Sequence, residues 1–547
     1  MRWTGWVRVT EATGAGAGLW MRVDGPGVVL ASDEMTSRRL VASPDWQQAS
    51  VVLDVPQNAL GMAVGALLGG PGDVIVDDFR LEIVGPDVPV TDTLNQAQSP
   101  WDSAYAVQVY ALQRAAPVNL GFEGLEGPPQ ATVDYLRDAA VAFAGTDPAA
   151  SDADLEPLRQ MVGSARVVGL GEGTHGTREF FRMKHRILQY LVREMGFTVF
   201  AMEGTSPESD LVNDYVLEGN GDPAVLLSNL YFWTWNTQEV LDMIEWMRQW
   251  NLTAPADQRV RFRGFDMQAP GLAMDIVTAF IGDVDPANAS FVADRFPCLA
   301  DYRNHGHVWP SPATAYADLP ASVREACRAG LQEVFDLLES HRADYEAASS
   351  PSAFAQALHS ARLVQQFEAM YATTENTIAD SRDSFMAENT LWLLDQAGPD
   401  ARMVLWAHNG HVTKKYGAMG DSLAHALGDS YVNLAFLFGS GFFNAFNQRD
   451  PGSVQPLWTD YMPEDALEKV FLRTSQPRLL LDARQLVDGG PAAEPLRGPM
   501  GMRMIGAYYD PDHPERFFAP QLLPGFYDLL VYLENTTEST LLPFIYE

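Results

Sequence analysis

Six short apolar segments recur along residues 131–547, and longer stretches with helical spacing separate them. They read ARVVGLG, FTVFAMEG, RVRFRGFD, RMVLWAHNG, YVNLAFLFG and FYDLLVYLEN. This alternation is typical of a mostly parallel sheet covered by helices, because parallel strands need long crossover connections. It predicts an α/β fold. Between Asp266 and His408 the pattern is helical without a clear strand, which predicts a helical insertion or lid over about 275–380.

Residues 1–86 have a different pattern of short alternating segments separated by Gly, Pro and Asp. Such segments predict a small β-sandwich with a jelly-roll-like form. LWMRVDG and DDFRLEIVG resemble segments of the galactose-binding-like modules of carbohydrate-active enzymes. Trp3, Trp6 and Trp20 could stack on a sugar, although core packing is the more frequent role of such residues. Residues 87–130, rich in Pro, Gln and Gly, are predicted to be a linker.

The formal net charge of −34 argues against binding to nucleic acid or to an anionic membrane surface, both of which need a basic footprint. No apolar run reaches the ~18 residues that span a bilayer. The first residues, MRWTGWVRVT, lack the apolar region of a secretory signal. We therefore expect a cytoplasmic protein from the sequence as written, or a secreted or periplasmic one if a segment precedes it.

Two cysteines, Cys298 and Cys327, are too few for a disulfide framework and lack the spacing of a zinc site. We expect them to be unpaired buried thiols, and a single bridge between them is the alternative. Neither is expected to act as a nucleophile. The sequence leaves the oligomeric state open.

The segment GEGTHG at residues 171–176 matches the glycine pattern of dinucleotide-binding loops. The carboxylate of Glu172, however, would oppose a bound pyrophosphate. Glu203 also lies 32 positions after Gly171, whereas the ribose-binding acid is expected ~20 residues on. We therefore interpret the glycines as allowing a tight turn that leaves His175 open to a substrate.

Ionisable residues follow the carboxyl ends of several predicted strands. In an open parallel sheet these ends form the ligand crevice. Taken singly, each residue has a structural explanation as a helix cap, a turn or a satisfied histidine. Taken together, they predict one site at one sheet edge. The set is Glu172, His175, Glu203, Asp266, His408 and His411.

Two common hydrolase motifs are absent. The nearest approach to G-x-S-x-G, around Ser440, lacks the required spacing, and H-E-x-x-H does not occur. A metal site built from His175, His408, His411 and a carboxylate is conceivable, but no ligand geometry is defined for the pair in HNGH. No metal and no cofactor is therefore assigned.

An ordered series of segments resembles the erythromycin esterase family over roughly residues 130–547. The segments are GEGTHGTREFFRMKHRIL, FTVFAMEG, RGFDMQ, RDSFMAENT, WAHNGH and MGDSLAHALGDSY, and FYDLLVYLENTTEST resembles the closing strand. The resemblance implies a three-layer α/β/α core with a helical lid. It also implies hydrolysis of the lactone ester of macrolides without a covalent serine intermediate.

The resemblance also implies roles for individual residues. The histidine of the G-E-x-x-H motif, the proposed general base, matches His175, and the acid beside it matches Glu172. The acid after the second strand matches Glu203, and the paired histidines match His408 and His411.

Lys184 stands where esterases of the family carry an arginine on the first helix. The charge is kept but the planar bidentate fork is lost, which weakens the case for macrolides as substrate. The expected partner is a small-molecule or glycan ester.

These observations lead to the hypothesis of metal-independent ester or lactone hydrolysis. His175, oriented by Glu172 or Glu203, would remove a proton from the water that attacks the carbonyl carbon. The unperturbed pKa of a histidine, ~6.5, suits this role.

The carbonyl would be polarised by His408 and His411 with Lys184 or Arg178. Further candidates for substrate contact or support are Asp266, Asn389, Trp233 and Trp235. Two alternatives stay open: a metal-dependent hydrolase that uses the same His/Glu cluster, and a degenerate glycan-binding protein that acts through its N-terminal module.

Overall fold

A computed structural model describes residues 1–12, 16–25, 28–43, 45–55, 59, 61–69, 72–85, 88–91, 128–303, 312–372 and 375–545. The chain divides into two compact units. The first consists of Met1–Tyr135, Gln485–Gly501 and Pro520–Phe526, and the second of Leu136–Arg484, Met502–Ala519 and Tyr527–Glu547. Most of the predicted linker at 87–130 lies outside the described residues, and the domain boundaries stay predictions.

The first unit contains two three-stranded antiparallel sheets. One has the order β4-β1-β6, and the other has the order β3-β2-β5. The strands are β1 (Arg2–Ala12), β2 (Gly16–Gly25), β3 (Val28–Asp33), β4 (Gln47–Val52), β5 (Gly61–Gly69) and β6 (Gly72–Glu82).

Inward-facing side chains of both small sheets share one hydrophobic cluster, which includes Val7 of β1 and Leu19 of β2. Trp3 belongs to this core and stacks on Phe79 with ring centroids 4.9 Å apart. Core packing, the more frequent role anticipated for the tryptophans, therefore applies to Trp3 and removes it as a sugar contact.

The second unit contains a ten-stranded sheet with the main path β10-β9-β11-β8-β12-β18-β14-β7. Neighbours from β10 to β18 are parallel, whereas β14 pairs antiparallel with β18 and β7. The strands of this sheet are β7 (Val141–Ala142), β8 (Val167–Leu170), β9 (Val199–Thr205), β10 (Arg261–Asp266), β11 (Met403–Trp406), β12 (Tyr431–Asn447), β13 (Asp450–Thr459), β14 (Arg478–Asp482), β16 (Tyr508–Tyr509) and β18 (Leu529–Thr536). Two further strands, β15 (Pro499–Arg503) and β17 (Phe518–Leu522), pair with each other in a separate sheet. The predicted mixed α/β fold with a mostly parallel sheet is confirmed, including all six predicted strands.

Helices follow most of the parallel strands. They are α1 (Gln130–Ala139), α2 (Pro157–Val162), α3 (Arg178–Met195), α4 (Ser206–Glu218), α5 (Pro223–Ser228), α6 (Gln238–Thr253), α7 (Gly271–Val284), α8 (Ala289–Ala293), α9 (Ala321–Ser340), α10 (Arg342–Ala348), α11 (Pro351–Tyr371), α12 (Glu375–Ala397), α13 (Asn409–Val412), α14 (Met419–Leu427), α15 (Leu467–Arg473) and α16 (Gly490–Arg497). Among the described residues, no helix is long and apolar enough to cross a membrane.

The sequence pattern of helix α3 explains both its buried face and its bounds. Phe180, Ile187 and Leu191 recur at helical spacing and are buried in the core of the second unit. Gly196 ends the helix with a left-handed φ of 69°, which a glycine adopts without steric cost. The start of the helix at Arg178 places the preceding loop at the carboxyl end of β8.

Between β10 and β11 the described part of the chain is helical, from α7 to α12, and contains no strand. This confirms the helical insertion, while its action as a lid stays a prediction. The expectation of two free thiols is wrong, because Cys298 and Cys327 form a disulfide. A 3₁₀ helix at Phe296–Tyr302 packs against α9 and brings the two Cα atoms to 5.7 Å.

We expect reduction of this disulfide to destabilise the helical insertion. The bridge closes a loop with a sequence separation of 29, for which the chain-entropy model gives about 3–4 kcal/mol. Urea denaturation of wild type and of the Cys298→Ser/Cys327→Ser double variant, followed by circular dichroism, measures the difference. A reductant should lower the midpoint of wild type and leave the double variant unchanged. A wild-type midpoint that ignores the reductant would contradict the expectation.

Candidate active site

The loop between β8 and α3 contains the glycines of the G-x-G-x-x-G pattern. A side-chain carbon on Gly171 would overlap Oδ1 of Asn409, and one on Gly176 would overlap the backbone of Asn444. Asn409 follows β11 and Asn444 lies in β12, so the loop touches segments from both neighbouring strands. The glycines are therefore required for this close approach.

Glu172 accepts hydrogen bonds from three side chains and is fully buried. Its Oε1 accepts from His175 Nδ1 at 2.7 Å. Its Oε2 accepts from Lys184 Nζ at 2.6 Å and from Trp406 Nε1 at 2.8 Å. We call these four residues the Glu172 group. Because each contact is a donor to a carboxylate, the position of Glu172 is fixed.

Lys184 was expected to polarise the substrate carbonyl, but it lies in the protein interior beside Glu172. The ammonium is fully buried, bonded to Glu172, and 4.3 Å from the centroid of the Trp406 ring. Burial lowers the pKa of Lys184 to about 8, although the Glu172 carboxylate acts in the opposite direction. A buried ammonium in this position cannot touch a carbonyl oxygen in the cleft, so the expected polarising role is replaced by one of holding Glu172.

His175 presents one ring nitrogen to the cleft. Because Glu172 Oε1 is an acceptor, Nδ1 carries a proton, and in the neutral form of the ring the lone pair is on Nε2. The side chain is 13% exposed. Its ring lies 5.1 Å from that of His408 and 5.9 Å from that of Trp235. Gly506 leaves room beside Nε2, since even a side-chain carbon there would lie 3.9 Å away.

A second set of charges surrounds Arg382 of α12. The guanidinium donates Nη2–H to Glu203 Oε1 at 2.8 Å and to Asp266 Oδ2 at 2.6 Å. Its Nε bonds Asp266 Oδ1 at 3.2 Å. Burial alone would raise the pKa of Glu203, but His411 and Arg382 outweigh it and hold the pKa well below 4.5. We call Glu203, Asp266, Arg382, Asp383 and His411 the Arg382 network.

His411 lies between two carboxylates of this network. Its Nδ1 is 2.9 Å from Asp383 Oδ1, and its Nε2 is 3.3 Å from Glu203 Oε1. Burial lowers the pKa of His411, but Asp383 and Glu203 outweigh burial and raise it to about 10. The protonated ring donates from both nitrogens. Arg382 Nη1, 3.2 Å from Nε2, is then a neighbouring cation and not a hydrogen-bond donor to it.

His408 lies between the Glu172 group and the Arg382 network. Its Nδ1 accepts from the backbone N–H of Gly410 at 3.1 Å, so Nε2 carries the proton and is 3.3 Å from the carbonyl of Ile505. Its own backbone N–H donates to Glu203 Oε2 at 2.9 Å. Burial and the nearby His175 and His411 hold the pKa of His408 well below 6.5. His408 is therefore a neutral donor facing His175.

Two tryptophans were expected to contact substrate. Trp235 is almost fully buried and donates Nε1–H to the carbonyl of Glu203 at 2.8 Å, with its ring beside His175. Trp233 is partly exposed and packs edge-on against Phe446 at 6.1 Å. Trp235 thus supports the site, and Trp233 is the ring with a free surface.

Three other expected contacts are held away from a substrate. Arg178 bonds Glu239 Oε1 at 3.2 Å and Thr540 Oγ1 at 3.1 Å. Asn389 is fully buried and donates to the carbonyl of Phe265 at 3.0 Å, so it positions the end of β10. Asp266 is also fully buried and binds Arg382. The expected substrate contacts of Asn389 and Asp266 are therefore corrected to support of the Arg382 network.

The strands β10, β9, β11 and β8 are consecutive in the sheet, and six of the residues described above lie at their carboxyl ends or directly after them: Glu172, His175, Glu203, Asp266, His408 and His411. A family model for erythromycin esterase matches residues 192–536, which is more than half of the chain. The chain belongs to the erythromycin esterase family. The recognition made on the ordered sequence segments is thereby confirmed.

Proteins of known sequence or structure are similar to this chain. Erythromycin esterase type II of Escherichia coli is 26% identical over 333 residues, 56% of this chain and 77% of the relative. A solved Bacillus cereus protein has a TM-score of 0.67 and 26% identity, covering 76% of this chain and 99% of that one. A mutant of the erythromycin esterase EreC, in its open conformation, has a TM-score of 0.56 and 16% identity, covering 73% and 98%. Family membership supports hydrolase activity.

The erythromycin esterase match contains the Arg382 network and begins after Glu172 and His175. Sequence reasoning missed Arg382 and Asp383, although both open the segment RDSFMAENT. The available signal was a pair of opposite charges at the start of that segment. It also missed Trp406. This residue lies in the apolar strand RMVLWA and was counted as apolar, but its indole N–H donates to Glu172.

Among the described residues, no three His, Cys, Asp or Glu side chains meet in an arrangement that could hold a metal ion. The donors are already engaged: the Arg382 guanidinium lies between Glu203 and Asp266, and Asp383 binds His411. Arg382 therefore already occupies the place between Glu203 and Asp266 that a bound cation would take.

The raised pKa of His411 predicts a pH dependence of stability. Since the folded-state pKa, about 10, exceeds the ordinary 6.5, its stabilising contribution is complete below pH 6.5 and is lost as pH rises through 10. The difference in unfolding free energy between wild type and His411→Asn should therefore shrink from pH 6.5 to pH 10. Denaturant titrations at several pH values measure it. A constant difference across that range would show that His411 is neutral in the folded protein.

Proposed function

We propose that the protein hydrolyses an ester or lactone by direct attack of water, without a covalent serine intermediate. The observation that carries the proposal is the pairing of His175 Nδ1 with the buried carboxylate of Glu172 at 2.7 Å. This pairing fixes the tautomer whose Nε2 lone pair faces the cleft. A neutral imidazole held in this way suits general-base catalysis.

In the first step, Nε2 of His175 accepts a proton from water as the water oxygen bonds to the carbonyl carbon. The carbonyl electron pair moves to its oxygen and gives a tetrahedral oxyanion. Collapse of this intermediate re-forms the carbonyl and breaks the bond to the alkoxide. The alkoxide takes the proton from Nε2, so the products are a carboxylic acid and an alcohol, and His175 is again neutral.

The oxyanion needs a donor near His175, and His408 is suited to this role. Its Nε2–H has a long contact, 3.3 Å, with the carbonyl of Ile505, and a substrate carbonyl oxygen would compete for this donor. The protonated ring of His411, 6.4 Å from that of His408, adds positive charge nearby. Preorganised donors of this kind stabilise charge as it develops.

A macrolide lactone is one substrate to test, because a relative is named as an erythromycin esterase. Lysine in place of arginine at position 184 does not argue against it, since Lys184 binds Glu172 and not the cleft. Acylated sugars and other esters fit the same chemistry.

The proposal is tested by measuring kcat/KM for a 14-membered macrolide lactone, an O-acetylated sugar and p-nitrophenyl esters, with His175→Ala as background. Hydrolysis of at least one substrate above that background is the expected result. No hydrolysis of any of them would contradict the proposal. Elemental analysis and a chelator arm separate the rival metal-dependent mechanism, which predicts bound metal and loss of activity on chelation.

A further inference from the structure

The first unit has a tryptophan that faces away from its core. Residues alternate along β2, so Leu19 and Met21 are buried whereas Trp20 and Arg22 are partly exposed on the other face of the sheet. Trp20 thus belongs to the surface of the sheet β3-β2-β5.

Gly65 of β5 lies directly opposite Trp20 in the antiparallel register. A side-chain carbon on Gly65 would lie 2.5 Å from Nε1 of Trp20, too close to be accommodated. The indole therefore crosses the glycine with no side chain between ring and backbone. The ring is therefore held against the backbone of β5, and part of its surface stays exposed.

Trp20 lines a recess of about 290 Å³ together with polar side chains. Arg22 lies on the same face two residues along β2, and Ser32 of β3 is its direct partner in the register. Glu34 follows β3 and is well exposed, with its carboxylate 3.7 Å from Arg39. Met21 and Leu67 complete the lining. The indole of Trp20 is thus bordered by a guanidinium, a hydroxyl and a carboxylate.

This set of groups matches one ligand chemistry. The face of an indole packs against an apolar C–H surface, whereas a guanidinium donates and a carboxylate accepts hydrogen bonds. A pyranose ring offers both surfaces, because its C–H face lies between hydroxyl groups at its edge. A guanidinium and a carboxylate on the same border favour a neutral ligand over an anion or a cation. The volume is near the lower limit of ligand pockets, ~300 Å³, which suits one or two sugar rings.

We propose that the recess at Trp20 binds a pyranose unit of a neutral glycan, independently of the hydrolytic site. Trp20 forms the stacking surface. Arg22, Ser32 and Glu34 bind the hydroxyl groups.

Affinity electrophoresis of the full-length protein in native gels tests the proposal. The gels contain dextran, a β-1,3-glucan, a β-1,4-galactan or a xylan as probe. Wild type should be retarded by at least one probe. Trp20→Ala should lower the affinity for that probe by at least about tenfold, which corresponds to ~1.4 kcal/mol.

Trp46→Ala is the matched control, because Trp46 is a 37% exposed tryptophan of the same unit that lies outside the recess and beside Arg8. Its retardation should equal that of wild type. Glu34→Gln, at an exposed position, should weaken retardation even if Trp20→Ala fails to fold. Wild type that runs freely in every gel, full retardation of both recess variants, or equal loss in Trp46→Ala would each overturn the proposal.

Discussion

His175→Ala is expected to lower kcat for the best ester substrate by about 10²- to 10⁴-fold while the protein stays folded. The physical reason is that, in the proposed mechanism, His175 takes the proton from the attacking water, and alanine has no base to replace it. Glu172 would keep its bonds from Lys184 and Trp406, so the surrounding structure has no new unpaired buried charge. Turnover at saturating substrate measures kcat, and circular dichroism of both proteins shows whether the variant is folded.

His425→Ala is the matched control for this variant, because His425 of α14 is 79% exposed. Its turnover should equal that of wild type. Added imidazole should partly restore His175→Ala, since the free base can enter the vacated space. A kcat for His175→Ala within about tenfold of wild type, ~1.4 kcal/mol of barrier, would refute the base assignment.

The sheet and the approximate site were predictable because both follow from local patterns. Each parallel strand is a short apolar run, and the chain places polar residues where such a run ends. That rule located His175, Glu203 and His408 at adjacent strand ends without knowledge of the strand order. The antiparallel strand β13 was missed because two prolines and a glycine interrupt its sequence, DPGSVQPLWT, and β14 was missed because its partner β18 lies far along the chain.

The role of each charged residue within the site was not predictable in the same way. Lys184 and Arg382 both lie on helices, and their charge alone does not tell a substrate contact from a buried counter-ion. Only the fold shows that Lys184 faces Glu172 and that Arg382 crosses from α12 to two strand ends. The bridge between Cys298 and Cys327 was missed for the same reason, since it depends on the packing of two helices.

Both groups place cations against buried carboxylates. In the Glu172 group one ammonium opposes one carboxylate. In the Arg382 network Arg382 and protonated His411 oppose Glu203, Asp266 and Asp383. Removing Lys184 or Arg382 leaves a buried carboxylate, Glu172 or Asp266, without its cation although neutral donors remain, which costs more than the loss of a surface ion pair.

Arg382→Met is therefore expected to destabilise the protein by about 3–5 kcal/mol, the cost typical of breaking a buried ion pair. Glu203 and Asp266 lose their shared donor, and His408 loses the fixed carboxylate that binds its backbone N–H. Activity should fall with stability, because the position of His408 depends on Glu203. Urea denaturation at neutral pH gives the stability change.

Arg342→Met provides the matched control, because Arg342 of α10 is 46% exposed and pairs with Glu339 and Glu346 at the surface. Its effect should not exceed about 1 kcal/mol. The pH dependence separates charge from packing. In Arg382→Met the unpaired carboxylates accept protons more readily, so the difference from wild type should shrink as pH falls toward 5. An equal loss of stability in the two methionine variants, or a loss in Arg382→Met that does not change with pH, would show that Arg382 contributes packing and not charge compensation.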